Sequence, residues 1–176
     1  TELRVQDPTR GALGRQLDAL RTLTEALATS TPILQLIYSP LAQAARSTER
    51  SLLLRHLRTN PDRLRSGLNT ITETTLQFLD MLRRLPIAGI VYVAELAYYS
   101  ELSDDEYAAF GTPYDEKVLT ALPSEWWFNL VQVRGHSPML HHFTHLPIQA
   151  LGWADQTGHP SLDRVVSNFS GAFYGG

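Results

Sequence analysis

Two hydrophobic periodicities alternate along the chain, and together they predict a repeating order of helices and strands. Leucines recur every three or four residues over 12–29, which predicts an amphipathic helix. The short, almost continuous apolar runs at 33–38 and 88–94 are typical of strands buried on both faces, as in a parallel sheet. Three later runs have the same character: 127–133, 148–151 and 171–174.

Helical patterns separate these apolar runs. A short helical stretch begins at Ser39-Pro40, a second helix covers 49–58, and the longest covers 62–84. Ser103, followed by Glu106 three residues later, is typical of a capping box at the start of the next helix. The remaining helical segments are predicted at 114–122, 138–146 and 162–168.

The order α-β-α-β-α-β-α-β-α-β predicts parallel strands joined by right-handed crossovers. A doubly wound sheet and an eight-stranded barrel both satisfy this order. No G-x-G-x-x-G or G-x-x-x-x-G-K-[ST] motif follows a strand, which favours the barrel. Five strands do not close a barrel of eight. We therefore expect an α/β fold in which residues 1–176 form one incomplete (β/α)8 TIM-barrel segment, with parallel strands and outer helices.

The composition of the chain excludes several classes of partner and site but says little about the fold. A net charge of -3 argues against a nucleic-acid-binding surface, and the absence of cysteine excludes disulfides, thiolate nucleophiles and Cys-ligated zinc. Lys117 is the only lysine, and arginine suits planar recognition of carboxylates, although a GC-rich genome gives the same bias. No apolar run approaches the ~20 residues needed to cross a bilayer, so we expect a cytoplasmic protein without a membrane partner.

The carboxyl ends of the strands are where a βα barrel carries its active site. Glu95 follows the second strand and is a candidate general acid or base, the alternative being an ordinary ion pair with a nearby Arg. Arg134 follows the third strand and is either a carboxylate clamp or a structural ion-pair partner. The other strand-end candidates are Arg46, Tyr98, His136 and Asp155.

The histidines at 136, 141, 142 and 145 form a cluster in sequence, which raises the question of a metal site. No H-E-x-x-H motif is present, and on a regular helix His141 and His142 point in different directions. The sequence therefore predicts no metal. It also contains no G-x-S-x-G motif, so no nucleophilic serine is predicted.

Several segments share the order and spacing of a known family: Asp7-Pro8, 31–41, 71–76, 105–115, 127–135, 147–153, 160–162 and Gly175-Gly176. On these segments the chain resembles the uroporphyrinogen decarboxylase family, in particular its divergent decarboxylase-like branch. The resemblance runs nearly from end to end and places the chain over the middle strands of the barrel.

The resemblance implies a barrel of roughly twice this length. It also implies an enzyme of tetrapyrrole (haem) biosynthesis, a carboxy-lyase that removes acetate carboxyl groups without a cofactor. The implied partner is a porphyrinogen or a similar small polycarboxylate, and a homodimer is compatible with the family. Glu95 and Asp155 are then the candidates for stabilising a cationic pyrrole. The candidates for substrate contact are Arg46, Arg134, His136 and Tyr98.

The chain also departs from the family pattern. Arg46 stands where the decarboxylases carry a Tyr, and Ala97 stands where they carry a Ser. Related corrinoid methyltransferases bind zinc through a His-x-Cys-Gly strand end, whereas residues 132–135 read Gln-Val-Arg-Gly. Two alternatives stay open beside the decarboxylase: a corrinoid-linked methyltransferase, and a non-catalytic barrel that binds a tetrapyrrole or another organic acid.

Overall fold

A computed structural model describes residues 3–27, 29–165 and 169–176. The strands are β1 (Leu34–Tyr38), β2 (Gly89–Ala94), β3 (Leu130–Val133), β4 (Ala150–Trp153) and β5 (Ala172–Gly175). The helices are α1 (Gly11–Leu27), α2 (Pro40–Arg46), α3 (Arg50–Thr59), α4 (Pro61–Leu82), α5 (Asp104–Phe110) and α6 (Thr112–Thr120). Two 3-10 turns follow, at Leu140–His142 and Leu162–Arg164. Over the described ranges, no helix is long and apolar enough to span a lipid bilayer.

The five strands form one sheet in the order β1-β2-β3-β4-β5, and every neighbouring pair is parallel. A doubly wound sheet reverses its strand order at a switch point, and this sheet has no reversal. Sequential parallel order is the arrangement of a (β/α)8 barrel. The predicted α/β fold, a partial barrel with parallel strands and outer helices, is therefore confirmed.

The two faces of the sheet have different surroundings. One row across the sheet contains Ile37, Tyr92, Val131 and Leu151, all of them buried. Side chains alternate between faces along a strand, so the intervening residues lie on the other face. There Leu36, on the edge strand β1, is 43% exposed. The hydrophobic core thus lies between sheet and helices, and the opposite face is the one that lines the interior of a complete barrel.

Side-chain caps fix the starts of two helices that follow strands. Ser39 is buried at the end of β1, and its hydroxyl accepts a hydrogen bond from the Ala42 N–H. Ser103 and Glu106 form the predicted capping box at the start of α5, which confirms that prediction. These caps determine where the chain turns back from the end of a strand into the next helix.

The third strand is shorter than predicted. It begins at Leu130, and Trp127 is 62% exposed, so the prediction that Trp127 and Phe128 begin a buried strand is wrong. The buried Asn129 gives the reason, because its Oδ1 accepts a hydrogen bond from the Ile90 N–H at 3.2 Å. The Asn129 side chain thus accepts the hydrogen bond that a backbone carbonyl would accept in a regular sheet. Regular pairing between β2 and β3 starts only at Val91 and Leu130.

The predicted helix at 138–146 is also wrong, since only Leu140–His142 are helical and they form a 3-10 turn. Leu140, Phe143 and Leu146 are buried at a spacing of three residues, which matches a 3-10 turn better than an α-helix. The N–H groups of Phe143 and Leu146 accordingly bond to carbonyls three residues earlier. Of the predicted helix at 162–168, residues 162–164 form a 3-10 turn, and 166–168 lie outside the described residues.

A buried polar group joins α6 to the sheet. Asp115 accepts hydrogen bonds from the hydroxyls of Tyr92 at 2.7 Å and Tyr107 at 2.6 Å. Burial raises the pKa of Asp115 to about 7, even though the two tyrosine hydrogen bonds act in the opposite direction. The folded state therefore favours the neutral carboxyl group well above the pH at which the unfolded chain ionises.

Asp115 makes the stability of the fold dependent on pH. Folding raises the pKa of Asp115 from its ordinary value of 3.8 to about 7, so the contribution of Asp115 to the free energy of unfolding should be largest at low pH and fall as the pH rises from about 4 to 7. The Asp115→Asn variant keeps the shape of the neutral group and cannot ionise, so its stability should decline less over this window. Urea unfolding across the range measures both slopes. Asp62→Asn, at a side chain that is 95% exposed, should follow the wild type, and equal slopes for Asp115→Asn and wild type would contradict the assignment.

Gly135, directly after β3 and Arg134, has a positive φ of 125°. A Cβ added there would overlap the ring of Tyr98, so the loops after β2 and β3 pack together at this position. Gly135→Ala should lower the free energy of unfolding by about 1–3 kcal/mol from backbone strain, with the displacement of Tyr98 in addition. The control is Gly67→Ala inside α4, where the nearest atom is a Leu3 methyl at 3.5 Å. That variant should gain up to about 1 kcal/mol, and similar values for the two variants would contradict this account.

Candidate active site

The parallel register places the ends of β2 and β3 side by side. Ala94 pairs with Val133, and the N–H of Arg134 donates to the Ala94 carbonyl at 3.0 Å. Glu95 and Arg134 are therefore neighbours at the carboxyl edge of the sheet. Alternation along each strand turns them toward the face opposite the helices, which is the inside of a barrel.

Glu95 lies between two arginines that come from different parts of the sequence. Its Oε1 accepts a hydrogen bond from Arg46 Nη2 at 2.8 Å, and Arg134 Nη1 lies 3.9 Å from the same oxygen. The Glu95 side chain is only 13% exposed, whereas those of Arg46 and Arg134 are 47% and 53% exposed. We call these three residues the Arg–Glu–Arg cluster.

The first of the two arginines is held in place from two sides. Arg46 is the last residue of α2, where a positive charge is favourable near the helix C-terminus. Its guanidinium carbon lies 4.0 Å from the centre of the Tyr38 ring, at the end of β1. The hydrogen bond that Arg46 donates to Glu95 raises the pKa of Arg46, so this residue stays charged.

The cluster has two cations and one anion, so it carries an excess positive charge at the open end of the sheet. The guanidinium of Arg134 makes an ion-pair contact of 3.9 Å with Glu95, which is too long for a hydrogen bond. Both guanidinium groups are about half exposed and can reach a ligand from solvent. Chemically, this arrangement can bind a carboxylate while it holds a second, protein-derived carboxylate beside it.

Tyr98 is largely buried and contacts a third arginine. It is 9% exposed, and its hydroxyl accepts a hydrogen bond from Arg50 Nη1 at 3.0 Å. Burial raises the pKa of Tyr98, while the Arg50 cation acts in the opposite direction. Arg50 also pairs with Glu101 at 3.3 Å. Sequence reasoning missed Arg50, because its position at the start of a helix carries no signal for a contact 48 residues away.

In the described part of the chain, neither Asp155 nor His136 forms a hydrogen bond or an ion pair with the Arg–Glu–Arg cluster. Asp155 follows β4, is 7% exposed, and accepts a hydrogen bond from Gln156 through Oδ2 at 2.9 Å. Its Oδ1 is buried and has no hydrogen-bond partner among the described residues. His136 is exposed on the loop after Gly135. Among the residues that the structure describes, no hydrogen bond or ion pair links either side chain to Glu95.

Gln132 adds a polar group to the inner face of β3. It lies in the row that contains Val93 and Gly152, one step below the Arg–Glu–Arg cluster. Its Oε1 is buried without a hydrogen-bond partner in the described ranges of the chain. Buried amide oxygens are normally hydrogen-bonded, so the Gln132 oxygen is an exception on this face of the sheet. The sequence did not single out Gln132, because a glutamine within a strand usually has no functional role.

His141 and His142 do not diverge as they would on a regular helix. On the 3-10 turn, the Nε2 atoms of both rings lie within 3.2 Å of Asp104 Oδ1. Asp104 lies between the two capping-box residues Ser103 and Glu106, and no sequence pattern connects it with these histidines. The premise that His141 and His142 point in different directions, on which the prediction of no metal partly rested, is therefore wrong.

Comparison with known proteins agrees with the barrel architecture. Residues 1–167 match the family described as "Uroporphyrinogen decarboxylase (URO-D)". No curated protein sequence matches the chain significantly. Among solved structures, a methyltransferase from Methanosarcina mazei superposes with a TM-score of 0.76 at 17% sequence identity, over 88% of this chain and 46% of that one.

The two comparisons carry different information. At 17% identity the likeness to the methyltransferase shows a common fold alone, and this chain spans about half the length of that structure. The family match, in contrast, extends over residues 1–167 of a chain of 176. The chain therefore belongs to the uroporphyrinogen decarboxylase family.

Proposed function

We propose that the protein is a decarboxylase that removes acetate carboxyl groups from a porphyrinogen or a similar small polycarboxylate in tetrapyrrole (haem) biosynthesis. The observation that carries this proposal is the Arg–Glu–Arg cluster at the carboxyl edge of β2 and β3. A porphyrinogen presents several carboxylates around a ring that becomes cationic when it is protonated. The cluster offers complementary groups to both.

Arg134 and Arg46 bind substrate carboxylates in this proposal. Arginine forms bidentate hydrogen bonds with a carboxylate, and such charge-assisted pairs are stronger than neutral ones. Arg134 is the more available of the two, because it has no hydrogen bond to Glu95 and is 53% exposed. Arg46 contributes positive charge while its contact with Tyr38 and Glu95 fixes its position. We assign further substrate contacts to His136 and Tyr98.

Glu95 supports the chemical step. Protonation of a pyrrole carbon gives a cation, the bond between the methylene and the carboxyl group then breaks, and its electrons return to the ring as carbon dioxide leaves. Protonation of the resulting methylene carbon and loss of the ring proton complete the replacement of the carboxyl group by hydrogen. A carboxylate held rigidly and largely out of water stabilises such a cation electrostatically. Glu95 is 13% exposed, and Asp155 is the second candidate for this role.

We expect this chemistry to need no cofactor, since the substrate ring itself accepts the electrons. We also assign the protein to the cytoplasm and allow a homodimer. Both assignments follow from the family, and each has a direct measurement: cell fractionation for the location and sedimentation for the oligomeric state.

Arg134→Ala should lower kcat/KM for uroporphyrinogen about 10- to 100-fold, mainly through a higher KM, because a charge-assisted contact to the substrate is lost. Release of carbon dioxide and the porphyrin product pattern measure this effect. Arg83→Ala is the matched control. Arg83 is 51% exposed and lies 4.0 Å from Asp80, but it follows α4 at the opposite edge of the sheet. Full turnover by Arg134→Ala, or an equal loss in Arg83→Ala, would remove the clamp assignment.

Glu95→Gln should lower kcat about 100-fold with a smaller effect on KM, because the glutamine keeps the shape but not the charge that stabilises the cation. Steady-state kinetics with uroporphyrinogen separate the two parameters. Glu116→Gln is the control, since Glu116 is a half-exposed carboxylate of α6 that pairs with His145 and lies among the outer helices. An unchanged kcat in Glu95→Gln contradicts the catalytic role.

A corrinoid-linked methyltransferase is the second candidate function, because a solved methyltransferase has the same fold. The end of β3 argues against it, since related methyltransferases have His-x-Cys-Gly where this chain has Gln132, Val133, Arg134 and Gly135. The discriminating assay is methyl transfer from methylcobalamin with and without zinc. If turnover there is zinc-dependent and uroporphyrinogen is not decarboxylated, the methyltransferase replaces the decarboxylase.

A non-catalytic barrel is the remaining alternative. Absorbance titration with uroporphyrin, run beside the carbon dioxide assay, separates binding from turnover. Tight binding that Arg134→Ala weakens, without any release of carbon dioxide, would leave the carboxylate site in place and refute the decarboxylase.

A further inference from the structure

A second group of polar side chains lies where the loop after β2 meets the segment after β3. Asp104 is the first residue of α5, and His141 and His142 belong to the 3-10 turn at 140–142. Asp104 Oδ1 is 2.8 Å from His141 Nε2 and 3.2 Å from His142 Nε2. One ligand atom from each of the three residues lies within 4.8 Å of the others. The three donors therefore converge on one point.

The spacing of these atoms is close to that of a metal site. In a tetrahedral zinc site, bond lengths of 2.0–2.2 Å place neighbouring ligand atoms about 3.3 Å apart. The contact between His142 and Asp104 already has this length, and the contact between His141 and Asp104 needs to open by about 0.5 Å. Two imidazoles and one carboxylate, with a further position for water, are also a donor set that zinc uses.

The surroundings of His142 resemble the second shell of a metal ligand. Its Nδ1 lies 2.9 Å from Thr112 Oγ1, at the start of α6. When Nδ1 carries the proton and donates it to this hydroxyl, Nε2 is left with its lone pair directed at Asp104. The ring is 9% exposed and packs against the Tyr107 ring at 5.1 Å, so its orientation is fixed before an ion binds.

The other two ligands lie near solvent. The His141 side chain is 55% exposed and that of Asp104 is 48% exposed, which leaves a path for an ion and for a bound water. His142 is thus a fixed inner ligand, and His141 and Asp104 are accessible outer ligands. An ion can enter such a site without a large change in the fold. Residues 1–176 contain no cysteine, so only nitrogen and oxygen donors compete for the ion.

A simple ion pair between histidine and a carboxylate is the competing account, and the same segment contains one. His145 Nε2 lies 3.1 Å from Glu116 Oε1, with comparable exposure. That pair has one histidine and one carboxylate, and it belongs to no cluster of three donors in the described part of the chain. It is therefore a built-in control for adventitious binding to an exposed histidine.

We propose that Asp104, His141 and His142 bind one divalent transition-metal ion, with zinc as the ion that the donor set fits best. The ion ties the start of α5 to the turn after β3, on loops at the carboxyl side of the sheet. This site is separate in residues from the Arg–Glu–Arg cluster and takes no part in decarboxylation. It reverses the expectation of no metal, because that expectation assumed a regular α-helix through His141 and His142.

Isothermal titration of metal-free protein with zinc chloride tests the site directly. The wild type should bind one zinc ion through this site, and His141→Ala and Asp104→Asn should each weaken it at least tenfold, since each removes a ligand. His145→Ala should bind as the wild type does. Titration with cobalt chloride should give the visible absorption of a four- or five-coordinate ion, and the same two variants should lose it.

His142→Ala removes a buried residue and could unfold the protein, so Thr112→Val supplies the second test. Valine keeps the shape of threonine without its hydroxyl, and loss of such an outer partner typically weakens metal binding 10- to 100-fold. Circular dichroism checks that each variant is folded. Absence of zinc binding in the wild type, unchanged affinity in both His141→Ala and Asp104→Asn, or an equal loss in His145→Ala would each overturn the proposal. These measurements use no enzymatic activity, so they do not depend on the proposed function.

Discussion

The parallel pairing of β2 with β3 is the constraint that brings the candidate site together, because it decides which residues lie side by side at the carboxyl ends of these two strands. Ala94 opposite Val133, with the hydrogen bond from Arg134 N–H to the Ala94 carbonyl, makes Glu95 and Arg134 neighbours. A shift of one residue would turn one of the two side chains toward the helices. The buried Asn129 helps to fix this register, because its side chain binds the Ile90 N–H immediately before the ladder begins.

The helix-facing side of the sheet holds this register through burial, and it does so around an ionisable group. Asp115 lies between the hydroxyls of Tyr92 and Tyr107, at a depth that raises its pKa to about 7. Both of its oxygens have a partner, which is what a carboxyl group needs at that depth. The polar groups on the two faces of the sheet therefore differ: Asp115 lies on the outer, helix-facing side, and the Arg–Glu–Arg cluster lies on the inner side. The outer group is enclosed and satisfied, whereas the inner cluster is half open and carries excess positive charge.

Strand order, the barrel class and the helix caps follow from local patterns, and these were predictable from the sequence. The apolar runs at 33–38 and 88–94 mark β1 and β2 to within a residue, and Ser103 with Glu106 marks the start of α5. The errors lie where tertiary contacts override local preference. Asn129 delays the start of β3, although the apolar residues before it favour a strand. Burial at a spacing of three residues gives the segment around Phe143 its 3-10 geometry.

The residues of the candidate site divide in the same way. Glu95 and Arg134 could be found because the end of a strand in a barrel has a known place in space. Arg46 could be named but its partner could not, since α2 ends 49 residues before Glu95. Asp104 lay outside every sequence rule, because its contacts with His141 and His142 join two loops across 37 and 38 residues. No spacing rule covers ligands that distant loops bring together.

The end of β3 also influences which ligand charge the inner face of the sheet favours. A metal at the inner face needs anionic or neutral donors, and a thiolate with an imidazole provides them. Arg134 instead brings a fixed positive charge to that position, which disfavours a cation and favours a carboxylate. The Asp104–His141–His142 group shares no residue with the Arg–Glu–Arg cluster. The proposed metal site is compatible with the proposed carboxylate site, because the two sites make opposite electrostatic demands and use different residues.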